Sequence, residues 1–378
     1  MKLSVLFLAA SLLVLSRGHA LGSDSASAQT AAPPSETGAF PVLYCTDLFH
    51  PHDDPDDHFD LATIFAMPEM DLKGIILDQG GKQLQRPGQI PVSQMNHLAG
   101  RRVPVALGLE QKLRSPTDQA HEQKPEFQKG VELILTTLRD SSVPVSIAAV
   151  GSVRDVVAAF NREPALFRRK VGKLLVFIGE ASEPGFQEYN VELDPQAYVG
   201  LMRSGLPVFW VPCFDGGLWQ NNGHASFWQA KQEDLLQSAA PPLIQFFIYA
   251  LEKEKSDPLA ILAAPVDSQR QTRLLAGTRN LWCTAIFGVL SDRKVAFDGT
   301  NYVSLRVKND TANKPKAYGD LFGFSEVDLS ITDQAVIRYG KSKDSKRVLR
   351  FDVLNKAHYA KGMTAATAGL LSNLAARK

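Results

Sequence analysis

The sequence has few cysteines, little net charge and, beyond its first twenty residues, no long apolar run. Its three cysteines, Cys45, Cys213 and Cys283, lie far apart, so at most one disulfide can form and no Cys-x-x-Cys metal pair exists. Forty-one Lys and Arg nearly balance forty Asp and Glu, and no basic block could follow a phosphate backbone. We therefore do not expect a nucleic acid polymer as a partner.

The first twenty residues, MKLSVLFLAASLLVLSRGHA, have the pattern of a signal peptide, with a basic start, an apolar run and small residues at the end. We expect cleavage after Ala20, export to the periplasm or the extracellular space, and no membrane attachment afterwards; an uncleaved anchor is the alternative. Residues 21–40 are small and polar, and we predict a disordered linker.

From residue 41 onward, short apolar runs alternate with segments of helical periodicity. The predicted strands are 41–45, 72–77, 103–107, 143–148, 173–178 and 207–211; the predicted helices are 57–66, 125–138, 153–161 and 195–203. This alternation predicts an α/β fold with a Rossmann-like, mainly parallel central sheet flanked by helices, over residues 41–280. Residues 281–378 are predicted to form a β-containing C-terminal extension packed on the same domain, and the chain is compatible with a homo-oligomer.

The stretch TDLFHPHDDPDDHFDLA combines an aspartate directly after the first strand with an aspartate cluster at the start of the first helix. Carboxylates crowded together repel unless a cation neutralises them, and oxygen ligands suit Ca²⁺ or Mg²⁺. One or two of these aspartates could instead cap the helix. A zinc or iron site that uses His50, His52 and His58 is a second alternative, although no signature spacing supports it.

The loop CFDGGLWQNNGHASFW after the sixth strand offers aromatic and polar side chains. Trp219 and Trp228 could stack on a base or sugar, and Asn221, Asn222 and His224 could bind polar edges, with Asp215 nearby. An ordinary turn whose tryptophans pack on the core is the equally weighted alternative.

Several segments in order resemble the inosine–uridine type of calcium-dependent nucleoside hydrolases. They are YCTD followed by DPDDHFDLATIFAM, then SIAAVGSVRDVVAAFNREPAL with KVGKLLVFIGEA, then EYNVELDPQAY, and more weakly DPLAILAAP. The resemblance implies a hydrolase that cleaves the N-glycosidic bond of a ribonucleoside or a related ribosylated molecule, with one bound Ca²⁺.

The resemblance also implies roles for individual residues. Asp47 corresponds to the catalytic base and metal ligand, and the other implied metal ligands are Asp56, Asp57, the Val150 carbonyl and Asp257. Glu188 and Asn190 correspond to the pair that binds the ribose hydroxyls. To this substrate-binding set we add His52 from the aspartate-rich stretch, and Asp215, Trp219, Asn222 and His224 from the loop after the sixth strand.

The sequence departs from the family pattern around the leaving group. Gly81 stands where the family has an asparagine, and Ser256 stands where it has a histidine that helps to protonate the leaving base. His50, His52, His58 or His224 could replace that acid. Two alternatives stay open: a hydrolase of a different glycosidic substrate on the same fold, and a secreted calcium- or ligand-binding protein without turnover.

Overall fold

The computed structural model describes residues 39–183, 185, 187–297, 300–306 and 320–374. The predicted signal peptide and nearly all of the predicted linker lie outside these residues. Within the part of the chain that is described, no helix is both long enough and apolar enough to cross a bilayer.

Thirteen strands and thirteen α-helices are described. The strands are β1 (Phe40–Thr46), β2 (Met70–Leu77), β3 (Val105–Leu107), β4 (Val145–Val150), β5 (Val171–Phe177), β6 (Val208–Val211), β7 (Trp228–Lys231), β8 (Thr278–Leu281), β9 (Arg293–Phe297), β10 (Tyr302–Arg306), β11 (Phe322–Ile331), β12 (Ile337–Tyr339) and β13 (Lys346–Val353). The helices are α1 (Asp56–Phe65), α2 (Gly80–Gln83), α3 (Gln89–Ala99), α4 (Lys129–Asp140), α5 (Arg154–Arg162), α6 (Pro164–Lys170), α7 (Tyr189–Leu193), α8 (Pro195–Arg203), α9 (Gln232–Leu236), α10 (Pro241–Leu251), α11 (Ala260–Ala263), α12 (Ser268–Leu275) and α13 (Tyr359–Ser372).

Nine strands form one sheet in the order β12-β11-β13-β6-β5-β4-β1-β2-β3. The pairs from β13 through β6, β5, β4, β1 and β2 to β3 are all parallel, whereas β11 pairs antiparallel with both β13 and β12. The prediction of a mainly parallel α/β sheet flanked by helices is confirmed.

The strands alternate their side chains between two apolar cores, one on each face of the sheet. In β1, Val42 and Tyr44 pack into one core, while Leu43 and Cys45 pack into the other. Every residue of β4 is buried. Strands covered on both faces need apolar residues at successive positions, which explains the continuous apolar runs in the sequence.

The structure differs from the sequence-based elements in three places. The predicted helix 125–138 is divided into a 3₁₀ turn at Pro125–Phe127 and α4, which begins at Lys129. The strands after residue 320 join the main sheet, because β13 pairs parallel with β6 through Leu349–Phe209 and Arg350–Trp210. Short polar strands such as β7 and β8 carry little periodicity, so their antiparallel pairing was not predicted.

Candidate active site

A cavity of about 320 Å³ opens at the carboxyl ends of the central strands. Its acidic and polar lining residues are Asp47, His52, Asp54, Asp56, Asp57, Asp60, Glu188, Tyr189 and Asn190, and the others are Val150, Phe177, Cys213, Phe214, Leu218, Trp219, Trp282 and Cys283. Ligands of open parallel sheets bind at this edge, where turns from several strands meet. The cavity therefore lies where the topology predicts chemistry.

Three carboxylates and one carbonyl come together from three chain segments. Asp47 follows β1, Asp56 and Asp57 begin α1, and Val150 ends β4. The buried Thr46 hydroxyl donates a 2.9 Å hydrogen bond to the Asp57 carboxylate, which fixes the end of β1 against the start of α1. The Asp47 backbone N–H donates to the Val150 carbonyl at 3.3 Å, and a carbonyl oxygen has a second lone pair available.

Burial makes the charged forms of these carboxyl groups costly. Burial and the neighbouring Asp78 carboxylate raise the pKa of Asp47 to about 7. Burial, together with nearby aspartates, raises the pKa of Asp56 and of Asp57 well above the usual range. A cation in the cavity would offset both the burial of these charges and the repulsion between them, since it attracts the charged form of each carboxyl group.

The chemistry of this donor set fits a hard divalent cation. Asp47, Asp56 and Asp57 with the Val150 carbonyl supply oxygen ligands only, which Ca²⁺ prefers. Among the residues described, no three His, Cys, Asp or Glu side chains already surround a single point as a formed metal site would.

Glu188 and Asn190 lie on the wall of the cavity and are held by the backbone. The Glu188 carboxylate accepts from the backbone N–H groups of Gly179 at 2.8 Å and Asn190 at 3.0 Å. The Asn190 amide donates to the Phe177 carbonyl at 3.1 Å. Two polar side chains fixed in this way can present oxygen and nitrogen atoms to a hydroxylated ligand without further ordering.

A buried ionic network of Asp78, Arg154 and Asp194 lies next to Asp47. The Asp78 carboxylate accepts from the Ser152 backbone and hydroxyl, each at 2.9 Å. Arg154, only 3% exposed, lies 3.5 Å from Asp78 and 3.6 Å from Asp194. A Cβ atom at Gly151 would approach Asp78 at 3.1 Å and Asp47 at 3.3 Å, so a glycine lets these two carboxylates stand close together.

Four aromatic rings form one cluster beside the acidic residues. Phe214, Trp219, Phe227 and Trp282 contact one another with centroid distances of 5.5 to 6.0 Å, and all but Phe227 line the cavity. At the rim, Tyr189, Leu218 and Trp219 are 52%, 55% and 47% exposed. This side of the cavity suits a planar, apolar group.

Several sequence-predicted residues lie elsewhere. Asp257 is exposed, and its carboxylate accepts from the backbone N–H groups of Leu259 and Ala260 at 2.9 and 3.1 Å, so it caps the following turn instead of facing the cavity. The neighbouring Ser256 is also exposed. The structure brings Asp47, Asp56, Asp57, Val150, Glu188, Asn190, His52 and Trp219 to the cavity, but not Asp257.

Asp215, Asn222 and His224 build the loop after β6 and do not line the cavity. Asp215 accepts from the His224 backbone at 2.9 Å, and the His224 ring contacts the Asp352 carboxylate on β13 at 2.7 Å. The first bond lies within the loop, and the second attaches the loop to β13. The prediction that Asp215, Asn222 and His224 contact the substrate has no support in the arrangement of the cavity.

Of the histidines weighed as a replacement acid, His52 alone lines the cavity among the described residues. His58 is buried, and burial lowers its pKa well below the usual value. The His50 Nε2 atom contacts the Glu254 carbonyl at 2.7 Å, and its ring stacks on Tyr249 at 4.6 Å. His50 and His58 therefore belong to the packing around α1 and α10.

Trp282, Cys283 and Asp60 are lining residues that the sequence-based site did not include. Trp282 and Cys283 follow β8, and the backbone N–H of the next residue, Thr284, donates to the Asp60 carboxylate at 3.0 Å. Burial raises the pKa of Asp60 to about 7. The one signal available was the spacing of Asp60 from Asp56 and Asp57, which places the three on one face of α1.

This combination of a mainly parallel α/β sheet and an acidic cavity at the strand ends agrees with the comparison with known families. The model of the inosine-uridine preferring nucleoside hydrolases matches residues 51–375. The chain belongs to this family of N-ribosyl hydrolases, whose members are typically calcium-dependent. The match begins just after Asp47.

The relatives and solved structures are distant. The chain is 28% identical over 189 residues to the pyrimidine-specific ribonucleoside hydrolase RihA of Citrobacter koseri, and 26% identical to RihA of Escherichia coli; each match covers 45% of this chain and 59% of the relative. The structure of a plant nucleoside hydrolase, the PpNRh1 enzyme, aligns with a TM-score of 0.51 at 14% identity, covering 89% of this chain and 99% of that one. This likeness confirms the nucleoside hydrolase fold.

Proposed function

We propose that this protein is a metal-dependent hydrolase that cleaves the N-glycosidic bond of a ribonucleoside or a related ribosylated small molecule. One observation carries the proposal: a single cavity holds Asp47, Asp56, Asp57 and the Val150 carbonyl next to Glu188 and Asn190. These are an oxygen donor set for Ca²⁺ and two fixed polar groups for the sugar, and the family supplies a nucleoside as the substrate class.

Asp47, Asp56, Asp57 and Val150 would hold the metal in this proposal. A bound Ca²⁺ would orient the sugar hydroxyls and lower the pKa of a water molecule. Asp47 is the proposed general base, because its carboxylate lines the cavity beside the Val150 carbonyl of the proposed metal site, where it can take a proton from an activated water. Glu188 and Asn190 are proposed to bind the ribose hydroxyls.

The acidic wall also suits the charge that develops during cleavage. When the base leaves, positive charge builds on the sugar, and fixed carboxylates nearby stabilise it. Glu188 is buried and anchored by two backbone N–H groups, so it can serve this purpose without rearrangement. The electron pair of the N-glycosidic bond passes to the ring nitrogen of the base, which departs and takes up a proton. Water supplies the hydroxyl group at the ribose carbon and gives its proton to Asp47.

The test is metal analysis of the purified protein coupled to ribose release from a panel of nucleosides, with and without a chelator. Calcium near one ion per chain and chelator-sensitive ribose release would support the proposal. Calcium without release from any ribosylated compound would favour the second candidate, a secreted calcium- or ligand-binding protein. Asp257 lies outside the cavity, so the proposed metal shell has the three carboxylates of Asp47, Asp56 and Asp57 and the Val150 carbonyl.

Export remains a proposal that rests on the first twenty residues. Secretion of a tagged full chain from cells, with a mature N-terminus at Leu21, would support it, and retention of the intact leader in the membrane would indicate the uncleaved anchor.

A further inference from the structure

The aromatic rings on the apolar side of the cavity offer no group that could readily protonate a departing base. The rings of Phe214, Trp219 and Trp282 form that side. The indole N–H of tryptophan is a hydrogen-bond donor that does not release its proton near neutral pH. The Trp282 Nε1 atom is buried and has no partner within the part of the chain that is described.

Three lining side chains outside the proposed metal shell and the sugar-binding pair are candidate acids: Asp54, Asp60 and His52. The Asp54 carboxylate pairs with Arg279 at 2.6 Å, and the Asp60 carboxylate accepts from the Thr284 backbone N–H at 3.0 Å, so both are held as acceptors. The surroundings of His52 also oppose this role. Its Nδ1 atom contacts the backbone of Asp54, and its ring stacks on Phe49 at 5.8 Å. Burial lowers its pKa below 6.5, so the neutral imidazole predominates at neutral pH. A neutral imidazole has no proton that it can give to a leaving nitrogen as a general acid.

The cavity is also strongly biased toward positive ligands. Six of its lining side chains are carboxylic acids, Asp47, Asp54, Asp56, Asp57, Asp60 and Glu188, and its lining includes no lysine or arginine among the described residues. Arg279 pairs with Asp54 at 2.6 Å, and Lys82 lies over the Phe49 ring at 4.3 Å. A divalent cation held by Asp47, Asp56 and Asp57 and the pair of Arg279 with Asp54 leave Asp60 and Glu188 as further acidic groups of the lining. The faces of aromatic rings attract cations as well.

We infer that the preferred substrates are ribosides whose base carries a fixed positive charge, such as N-alkylated purine or pyridinium ribosides. This inference rests on the proposed function. When the bond between the ribose carbon and the ring nitrogen breaks, its electron pair passes to the nitrogen and cancels the positive charge. The base departs as a neutral ring and needs no proton, while water supplies the hydroxyl group at the sugar and gives its proton to Asp47.

The first experiment compares kcat/KM for 7-methylinosine and inosine, which differ by one methyl group and one positive charge. General acid catalysis contributes about 10²- to 10⁴-fold, so we expect the cationic substrate to be favoured by more than about 100-fold. 4-Nitrophenyl β-riboside is measured alongside, because its leaving group is uncharged in the substrate and needs no proton.

The three outcomes separate the inference from the proposed function. A ratio above about 100 supports the inference. A smaller ratio with hydrolysis of the nitrophenyl riboside overturns the inference and leaves the hydrolase standing. No ribose release from any of the three compounds, with calcium present, overturns the proposed function and the inference with it.

A second experiment uses calorimetry to measure binding of 1-methylnicotinamide, a cationic pyridinium methylated at the ring nitrogen, and of neutral nicotinamide. Trp219 is 47% exposed, so its replacement should leave the fold intact. We expect Trp219→Leu to weaken binding of the cation by about tenfold and Trp219→Phe to retain most of the affinity. The affinity for neutral nicotinamide should change little in either variant. The exposed Leu354→Ala change, outside the cavity, is the matched control. Equal losses for the cationic and neutral rings would contradict the inference.

Discussion

Replacing Arg154 with methionine should destabilise the protein more than any ordinary surface change. The guanidinium is 3% exposed and faces two buried carboxylates, Asp78 and Asp194, at 3.5 and 3.6 Å. It also donates to the Ser152 hydroxyl at 2.9 Å and the Leu193 carbonyl at 2.7 Å. Removing one partner of a buried ion pair costs about 3–5 kcal/mol, because the remaining charge stays buried without compensation.

Urea unfolding of the wild type and of Arg154→Met, with the slopes compared, measures this free-energy difference. The matched control is Arg139→Met, since Arg139 pairs with Glu163 on the exposed surface, where such pairs contribute about 0–1 kcal/mol. A loss for Arg154→Met no greater than that of the control would refute the reasoning, because it would show that the buried pair adds nothing.

The same variant has a predicted pH dependence. Burial raises the pKa of Asp194 to about 6, above the unfolded value, so the folded state binds this proton more tightly. Ionisation of Asp194 therefore lowers the stability of the folded protein as pH rises from about 4, near the unfolded pKa, to about 6, the folded pKa. Without Arg154 the pKa of Asp194 rises further, so the free-energy loss of Arg154→Met should be larger at pH 8 than at pH 5. A loss that is the same at both values would show that Asp194 carries no part of it.

Further changes test the site and the packing. Titration calorimetry should show that Asp57→Asn weakens calcium binding severely, whereas Asp257→Ala leaves calcium affinity unchanged. A lower calcium affinity of the Asp257→Ala variant would return Asp257 to the metal shell. Thr46→Val removes the 2.9 Å bond to Asp57 and should lower calcium affinity several-fold with little loss of stability. Gly80→Ala places a Cβ 2.2 Å from the Gly108 carbonyl and should destabilise the protein by several kcal/mol. Gly369→Ala in α13 places a Cβ with nothing within 4 Å and should stabilise the protein by up to about 1 kcal/mol. Thermal unfolding that finds Gly80→Ala the more stable variant would contradict both expectations.

The parts of the site that sequence could predict are those in which a strand, its turn and the next helix are contiguous. Asp47, Asp56 and Asp57 all follow β1 before or at the start of the next helix, so alternating apolar runs were enough to place them at one sheet edge. Glu188 and Asn190 were found because they share a short motif that precedes α8.

The parts that sequence could not predict depend on long-range packing. Trp282 and Cys283 reach the cavity only through the antiparallel pair β7 and β8, whose register is set by contacts about fifty residues apart. Asp257 shows the opposite problem, because an aspartate before an apolar turn has the same local pattern whether it binds a metal or caps the backbone. Only the position of the backbone in space separates the two.

The pairing of β13 with β6 has a consequence for how the chain folds during synthesis. Residues 208–211 are made more than a hundred residues before their partners at 346–353, so the edge of β6 stays open while the intervening chain is translated. Exposed strand edges pair readily with other chains. The newly made protein is therefore most vulnerable to aggregation in that interval, and a binding partner that shields the β6 edge would protect it then.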